Sequence, residues 1–330
     1  MHLDWTKIRL DLKETFAIAH GRYDYREALL VRLSAYGETG FGECVGISYY
    51  GIDLKGFILE LQRIKNHLER WSISSPEMFY QGLVALGLHP FLRSALDCAY
   101  WDLYGKLEGR SFSQLNGFTI TELPYSSYTV SVAPVEEQLR KIRASRWPAL
   151  KVKCDGARLD DVFRFLGEGK AIALDANTSF TAEDCVYLQS ETRAEGFSYI
   201  EQPMPEGGYS VLKRDGRVCW MADEEVQDEG SLGVLEGHYA AVNVKLMKCG
   251  GLTPALALIS AAKSKGYKVM VGCMTESSVG ISAGAALAPL CDFADLDGAN
   301  LIANDYARGS AVLDGEIRLS ERPGLGISLL

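Results

Sequence analysis

The chain has 330 residues and a mass of 36.3 kDa; 47% of the residues are hydrophobic and 23% are charged. This balance excludes a disordered or fibrous protein and is typical of a globular protein with a sizeable core. The 34 Lys and Arg residues against 43 Asp and Glu residues give a net charge of -9 and a pI near 5.2, which disfavours nucleic-acid binding and favours small-molecule partners.

Membrane and targeting signals are not evident in the sequence. No apolar run reaches the roughly 20 residues that a membrane-spanning helix needs, and the first residues lack the basic-then-apolar order of a signal peptide. We therefore expect a cytoplasmic protein with no membrane partner. The eight cysteines are dispersed without the spacing of a zinc knuckle or a redox pair, so free thiols in the core are predicted.

The first part of the chain is predicted to be an α+β unit, set at residues 1–122. Alternating apolar residues over 28–33, followed by the glycine-containing segment 37–43, indicate strands joined by a turn. Apolar residues at helical spacing then predict helices over 57–68 and 90–107.

From about Tyr125 the pattern changes to short apolar strands that alternate with longer helical stretches, which is typical of parallel βαβ units. A (β/α) barrel of the α/β class is therefore predicted, set at residues 123–300. The segment 301–330 is expected to return to the first unit. The eight predicted strands cover 127–132, 149–153, 171–175, 198–201, 218–223, 241–245, 268–272 and 293–297.

The ends of these strands carry charges, although buried parallel strands are normally apolar. A buried charge is costly unless it lies in a polar site, and the carboxyl ends of the strands are where a barrel keeps its active site. The sequence therefore predicts one site that brings together these ends. In chain order the charged ends are Lys153, Asp175, Glu201, Asp223, Lys245 and Asp297.

Three of the charged ends predict a metal site. Strands two and six of a closed ring of eight face each other, so Lys153 and Lys245 are expected on opposite sides of the mouth. The carboxylates on the wall between them, Asp175, Glu201 and Asp223, would repel one another unless a cation with oxygen ligands neutralises them. Mg2+ is predicted, with Mn2+ as a substitute, and zinc is disfavoured because no Cys or His is among the ligands.

The two opposed lysines can remove a proton from one face of a carbon and return one to the other face. A nearby cation and a second ammonium group are expected to lower the pKa of such a lysine. Lys151 shares a strand face with Lys153 and is predicted to bind a substrate carboxylate. Asp295 and Asp297 also share a face and are placed to hold a cationic group, so a dipeptide substrate is favoured over a free amino acid.

Six motifs occur together and in chain order. They are Lys151-Val152-Lys153, Asp175-Ala176-Asn177, Glu201-Gln202-Pro203, Ala222-Asp223-Glu224, Asn243-Val244-Lys245-Leu246-Met247-Lys248 followed by Gly250-Gly251, and Asp295-Leu296-Asp297. With these motifs the chain resembles the enolase superfamily over nearly its whole length, and specifically the dipeptide epimerases of the muconate-lactonizing-enzyme subgroup. The resemblance implies a modified TIM barrel of the (β/α)7β type with an N-terminal α+β capping domain.

The resemblance also implies an activity. It is the Mg2+-dependent epimerisation of dipeptides by proton transfer at the α-carbon of the C-terminal residue through an enolate, of the L-Ala-D/L-Glu type that acts in the recycling of cell-wall peptides. The two opposed lysines are implied as the acid/base pair and the three wall carboxylates as Mg2+ ligands. The Asp295 and Asp297 pair is implied to bind the amino terminus of the dipeptide.

Further contacts are expected from the capping domain. The resemblance implies a mobile loop, here around Ala19-His20-Gly21-Arg22-Tyr23, that reads the substrate side chain, with Arg22 pairing with a Glu carboxylate. Tyr49 is a second expected contact. Asn177, Glu224 and Lys248 are predicted to lie directly behind the site, and Glu224 and Lys248 are predicted to form ion pairs there.

Several alternatives remain open at this point. A cycloisomerase or dehydratase of the same subgroup, such as a muconate cycloisomerase or an o-succinylbenzoate synthase, needs only one lysine as base. A barrel that binds a ligand without catalysis needs neither. Asp295 and Asp297 have a simpler interpretation as caps of the next helix. A lysine that forms a Schiff base would not need three flanking carboxylates. Assembly into a homo-oligomer is left open.

Overall fold

The computed structural model describes residues 1–18 and 21–330, and residues 157 and 158 by their backbone alone. The chain opens with a three-stranded antiparallel sheet and continues with helices that pack against it around a common apolar core. We call the segment from β1 to α3 the cap. Its elements are β1 (His2–Ile18), β2 (Gly21–Ala35), β3 (Glu38–Val45), α1 (Leu54–Leu68), α2 (Pro76–Ala85) and α3 (Pro90–Glu108), followed by α4 (Phe112–Asn116).

The two predicted cap helices are confirmed as α1 and α3, but β1 and α2 were not predicted. Ile8, Leu10 and Leu12 alternate with charged residues in β1, which is a local strand signal, although only Leu3 and Leu10 of this strand are buried. Pairing with β2 stabilises β1, and that pairing is a tertiary feature that no local pattern reveals.

Helix α3 lies unusually close to strand β3. A Cβ atom added to Gly40 would lie 2.1 Å from the carbonyl oxygen of Ala99, and one added to Gly42 would lie 2.0 Å from that of Ala95. Real Cβ atoms do not approach backbone atoms so closely, so both positions require glycine. The close approach joins α3 rigidly to the cap sheet.

Gly42→Ala is therefore expected to destabilise the protein by about 3 kcal/mol, the upper end of the usual cost of overpacking. Urea denaturation followed by circular dichroism would measure the loss. Gly56→Ala is the control, because Gly56 lies in α1 with open space around it and alanine favours a helix by up to about 1 kcal/mol. Equal midpoints for the Gly42 variant and the wild type would contradict the packing argument.

The second part of the chain is a parallel sheet of eight strands that follow one another in chain order. A parallel bridge between Ser126 and Ala294 brings the two edges together and nearly closes the sheet into a barrel. The predicted α/β class and capped-barrel architecture are confirmed. The strands are β4 (Tyr128–Val130), β5 (Ala149–Lys153), β6 (Ala171–Asp175), β7 (Ile200–Glu201), β8 (Trp220–Ala222), β9 (Ala241–Lys245), β10 (Lys268–Gly272) and β11 (Phe293–Asp295).

The connections between strands differ from the expected pattern at two places. Gly156–Glu168, between β5 and β6, is a 3-10 helix, and the β7–β8 connection contains only the short 3-10 helix Tyr209–Val211. Pro203, Pro205 and several glycines in that second connection disfavour a longer helix. The remaining connections contain α5 (Val135–Ala144), α6 (Ala182–Ser190), α7 (Ser231–Leu235), α8 (Leu246–Cys249), α9 (Leu252–Ser264) and α10 (Ser278–Ala285).

The C-terminal segment contacts the cap. Ala303 N donates to Asp11 O at 2.8 Å, and Leu325 N donates to Asp102 Oδ1 at 2.8 Å. The domain limits at 122 and 300 stay predictions. Among the described residues, none of the helices has both the length and the apolar character that crossing a bilayer requires. The segment contains α11 (Gly298–Leu301), β12 (Ala307–Arg308), β13 (Ala311–Leu313), β14 (Glu316–Arg318) and β15 (Ser328–Leu329).

Candidate active site

A cleft lies at the carboxyl ends of the barrel strands, and cap residues form its outer side. It encloses about 730 Å3, part of it open to solvent. Most of the polar groups predicted from the strand ends meet here. Those that line the cleft are Lys151, Lys153, Asp223, Lys245, Asp295 and Asp297.

Two lysines face each other across this cleft. Lys153 ends β5 and Lys245 ends β9, four strands further along the nearly closed sheet, which puts the two residues on opposite sides. Lys153 Nζ lies 2.5 Å from Asp175 Oδ2 and 3.0 Å from Asn177 Oδ1. Lys245 Nζ lies 2.6 Å from Asp223 Oδ2. Both ammonium groups are thus fixed at the edges of the cleft by a carboxylate from a neighbouring strand.

The three wall carboxylates lie on adjacent strands and are all buried. Asp175 is the register partner of Glu201, and Asp223 follows directly after β8. Lys151 Nζ lies 3.3 Å from Glu201 Oε2 and 3.5 Å from Asp175 Oδ2. In the described parts of the chain, no three Asp, Glu, His or Cys side chains are close enough together to form a metal-ligand group, because each carboxylate is turned towards an ammonium group.

The donor set nevertheless fits a hard divalent cation. It consists of carboxylate oxygens alone, which Mg2+ and Mn2+ prefer. Two buried acceptor atoms beside it, Glu224 Oε2 and Asn243 Oδ1, have no hydrogen-bond partner among the described residues. The site therefore has more buried acceptors than the protein's own donors satisfy, which favours a bound cation.

The pKa values of these groups reflect burial opposed by neighbouring charges. Burial alone would raise the pKa of Asp223, but Lys245 and Lys248 hold it well below its usual range. Burial raises the pKa of Glu201 to about 7, because Lys151 only partly offsets it and Asp175 adds repulsion.

The expectation of a lowered lysine pKa applies to a site that holds its cation and stays a prediction. Burial lowers the pKa of Lys245, but the carboxylate of Asp223 at 2.6 Å outweighs burial, and the pKa of Lys245 lies well above its usual value. A cation bound by Asp223 would turn this nearest charged neighbour of Lys245 from a free anion into a metal ligand and so oppose the ammonium form.

The Asp295 and Asp297 carboxylates lie side by side on the wall opposite Glu201. Asp295 contacts Lys151 Nζ and accepts a hydrogen bond from Ser127 Oγ at 2.7 Å. Asp297 accepts one from Thr129 N at 2.6 Å. Asp297 immediately precedes α11, but its side chain makes no capping hydrogen bond, so the alternative of a simple helix cap is not realised. Burial and the charge of Asp295 raise the pKa of Asp297 to about 7.

The residues predicted to support the site behave in different ways. Lys248 forms the predicted ion pair, since its ammonium contacts both the carboxylate and the carbonyl oxygen of Asp223. Glu224 forms no ion pair within the described residues, and burial together with Asp223 raises its pKa to about 8. Gln202 was assigned no role from the sequence. Its Oε1 accepts hydrogen bonds from Asp223 N at 2.8 Å and Glu224 N at 3.0 Å, and so orients that turn.

Comparison with known proteins identifies the family. Residues 134–330 match the family described as Enolase C-terminal domain-like. An L-Ala-D/L-amino acid epimerase from Maribacter sp. is 35% identical over 335 residues, which cover 100% of this chain and 99% of that protein. The chain belongs to the enolase superfamily.

Comparison with other members shows to which group of the superfamily the chain belongs. The L-Ala-D/L-Glu epimerase of Escherichia coli is 31% identical over 318 residues, which cover 93% of this chain and 96% of that protein. The crystal structure of a dipeptide epimerase from Methylococcus capsulatus, complexed with Mg and the dipeptide L-Arg-D-Lys, has a TM-score of 0.87 and 28% identity and covers 98% of each chain. These relatives place the chain with the dipeptide epimerases, which are isomerases, and the resemblance seen in its motifs is confirmed.

The cap of this enolase-superfamily member contributes aromatic side chains to the cleft. Tyr49 and Tyr50 lie in a short 3-10 helix, Ser48–Tyr50, and their rings meet edge to face with centroids 5.0 Å apart. Both line the cleft, as expected for Tyr49. Tyr23 OH lies 3.1 Å from Thr275 Oγ1 and so links β2 to the loop after β10.

The structure brings a different arginine to the cleft from the one expected. Arg22 is exposed and borders an adjoining groove that shares Tyr23 and Arg26 with the cleft, whereas Arg26 also lines the cleft itself. The guanidinium of Arg26 lies 3.7 Å from the centre of the Tyr23 ring and donates to Gly46 O at 3.3 Å. Its Nε is buried without a hydrogen-bond partner in residues 1–18 and 21–330. The neighbouring loop residues Ala19 and His20, expected to approach the substrate, lie outside the described residues.

Proposed function

We propose that this protein is a Mg2+-dependent dipeptide epimerase that transfers a proton between the two faces of the α-carbon of the C-terminal residue. The observation that carries the proposal is the pair of lysines, Lys153 and Lys245, on opposite sides of one cleft with carboxylates between them. A cycloisomerase, a dehydratase or a binding barrel would not need both lysines. The named relatives are epimerases, which also supports this choice.

Asp175, Glu201 and Asp223 are the residues that would hold Mg2+, with Mn2+ as a substitute. The chemistry such an ion supplies when bound is positive charge beside the substrate carboxylate, where negative charge develops as the α-carbon loses its proton. Mg is present in the related Methylococcus capsulatus structure, which supports the choice of metal.

The protein's own groups perform the proton transfer. One of the two lysines, as a neutral amine, takes the α-proton, and the other, as an ammonium, donates a proton to the opposite face of the planar carbon. Lys151 adds positive charge at the carboxylate end of the substrate. Asp297, together with Asp295 which also contacts Lys151, would bind the amino terminus, and their fixed position favours a free dipeptide over a longer peptide.

Hydrogen exchange tests this function directly. We expect an L-Ala-L-Glu-type dipeptide, incubated with the protein and Mg2+ in D2O, to give the epimer with deuterium at the C-terminal α-carbon, as measured by NMR and chiral chromatography. An N-acetylated dipeptide is the control and should exchange far more slowly, because it lacks the ammonium that Asp295 and Asp297 would bind. Absence of exchange with every dipeptide of a broad library would overturn the proposal.

The finer substrate class is also part of the proposal. The L-Ala in the names of two relatives supports a small first residue. We infer that Arg26 pairs with an acidic side chain on the second residue, because its unpaired Nε is a buried donor at the cleft and its charge is held there by the Tyr23 ring. A dipeptide of the L-Ala-D/L-Glu type has both a small first residue and an acidic second residue. This supports a role in the recycling of cell-wall peptides. The cytoplasmic location and the oligomeric state stay predictions.

Arg26→Ala is expected to lower kcat/KM for L-Ala-L-Glu by roughly 10- to 100-fold, which corresponds to the loss of a charged hydrogen bond of about 1.5–3 kcal/mol. The activity with L-Ala-L-Leu should change little, because that side chain offers no partner for the guanidinium. Arg22→Ala is the matched control on the same strand and should leave both activities near wild type. A loss confined to the Arg22 variant would show that the originally expected arginine reads the substrate.

A further inference from the structure

Beyond the cleft, a buried aspartate on cap helix α3 contacts the segment that follows Lys245. Asp97 has no solvent exposure, and its Oδ2 accepts a hydrogen bond from Thr253 N at 2.9 Å while its Oδ1 accepts one from Thr253 Oγ1 at 2.8 Å. Trp101, one turn further along α3, donates from Nε1 to the same hydroxyl at 2.9 Å. A cap helix thus binds the first turn of barrel helix α9 through hydrogen bonds.

This contact supplies what α9 lacks in its own sequence. The residue before the helix is Gly251, which has no side chain to bind the unpaired backbone NH groups. Asp97 does so from the cap, where its carboxyl oxygens accept the hydrogen bonds that a capping side chain would accept, although burial raises its pKa to about 7. A Cβ atom on Gly251 would lie 2.4 Å from Asp97 Oδ2, so the close contact requires glycine there.

The segment between β9 and α9 is short and tightly folded. Gly250 N and Gly251 N both donate to Leu246 O at 2.9 Å, which closes the turn directly behind Lys245. Met247 in this turn is buried in the apolar core of the cap. The cap therefore holds the turn at two points, through Met247 and through the Asp97 contact.

The opposite lysine is held differently. Gln138 Nε2 donates to Lys153 O at 2.8 Å, and Cys154 N donates to Asp175 O at 3.0 Å, and these partners all belong to barrel elements. The two lysines thus differ in what fixes them. Both lysines end barrel strands and pair with a barrel carboxylate, but the segment after Lys245 is held in addition by a helix of the cap.

We propose that Asp97 is a positioning residue for Lys245. By anchoring the turn that carries Lys245 to helix α3, it sets the rate of proton transfer on one face of the substrate carbon and leaves the Lys153 face unaffected. This inference rests on the proposed epimerase function.

The test compares the two faces in Asp97→Asn. Each epimer of the dipeptide is incubated separately in D2O, and the initial rate of deuterium incorporation is measured. The epimer that still exchanges its α-proton in Lys245→Ala is the one whose proton faces Lys153. In the Asp97 variant we expect exchange on the Lys245 face to fall by roughly 10- to 100-fold, since a misplacement of about 1 Å caused by a distant substitution costs up to about 100-fold in rate. Exchange on the Lys153 face should stay near wild type.

Asp102→Asn is the matched control. Asp102 is equally buried on the same helix but binds Phe41 N, Lys106 and Leu325 N, none of which belongs to the Lys245 turn. Its replacement should change the rate of deuterium incorporation by the same factor on both faces of the substrate carbon. If Asp97→Asn does not fold, Thr253→Val removes the hydroxyl link and should show the same one-sided loss. An equal loss on both faces in the Asp97 or Thr253 variant would overturn the proposal.

A second measurement does not depend on activity. Amide hydrogen exchange of the segment 245–253 should become faster in Asp97→Asn, while that of 151–156 stays unchanged. Unchanged protection of 245–253 would overturn the anchoring role. A wild-type protein without deuterium incorporation would instead overturn the proposed function, and a faster exchange of 245–253 would still show that Asp97 anchors the turn.

Discussion

Replacing Lys245 by alanine is expected to abolish epimerisation while α-proton exchange of one epimer survives. The kcat for epimerisation should fall by roughly 10^2- to 10^4-fold, the usual contribution of general acid–base catalysis. Lys153 would still remove and return a proton on its own face. Lys153→Ala should show the reverse pattern, with exchange of the other epimer retained. Single-turnover exchange in D2O, monitored by NMR for each epimer, measures both effects.

The control for these variants is Lys265→Ala. Lys265 is an exposed lysine that forms a surface ion pair with Glu236 at 3.1 Å, and its loss should not affect activity. Either of two results would contradict the assignment of one lysine to each face of the carbon. In the first, one of the two active-site variants keeps the wild-type kcat. In the second, each variant loses exchange of both epimers to the same degree.

Asp223→Asn is expected to lower both the affinity for Mg2+ and the free energy of unfolding. Asp223 is one of three predicted ligands, and it also neutralises Lys245 and Lys248. The Mg2+ affinity measured by calorimetry should fall by at least about 100-fold, which is the upper end of the cost of losing even an outer partner of a metal ligand.

The same variant should lower the free energy of unfolding of the metal-free protein by about 3 kcal/mol, because two buried ammonium groups lose their anion. Urea denaturation with a chelator present would measure this loss. Because the folded-state pKa of Asp223 is depressed, its stabilising effect exists at neutral pH and disappears only as the pH falls through that low value. The loss in the variant should therefore shrink in strong acid.

Asp292→Asn is the control for both measurements. Asp292 lies beyond the amino end of β11, where its Oδ2 accepts a hydrogen bond from Val269 N at 2.8 Å, far from the mouth of the barrel. Mg2+ affinity should be unchanged in this variant. An unaltered Mg2+ affinity in Asp223→Asn would remove Asp223 from the ligand set.

The barrel was predicted from the sequence in detail. β5, β6, β9 and β10 have the predicted bounds, and the remaining four strands lie within theirs. Buried parallel strands are short apolar runs, and each charged residue at their carboxyl ends marks where a run stops. These signals are local and periodic, so a single sequence is enough to reveal them.

The cap side of the cleft was predicted less well. The pairing of β1 with β2 shifts register between Asp11 and Phe16, and such an irregularity affects which side chains of these strands face the barrel. Whether Arg22 or Arg26 reaches the cleft depends on that geometry and on how the cap packs over the barrel. Spacing along the chain contains neither piece of information.

By itself, the sequence determined the barrel, the charged groups that meet at its mouth and the family resemblance, because strand periodicity and chain order fix which residues share one edge of a parallel sheet. The tertiary structure alone decided which ammonium group pairs with which carboxylate, which arginine lines the cleft and that Asp97 binds Thr253 in the first turn of α9. Those outcomes depend on contacts between segments far apart in sequence, such as α3 and α9, whose relative positions are set only when the cap and barrel pack together.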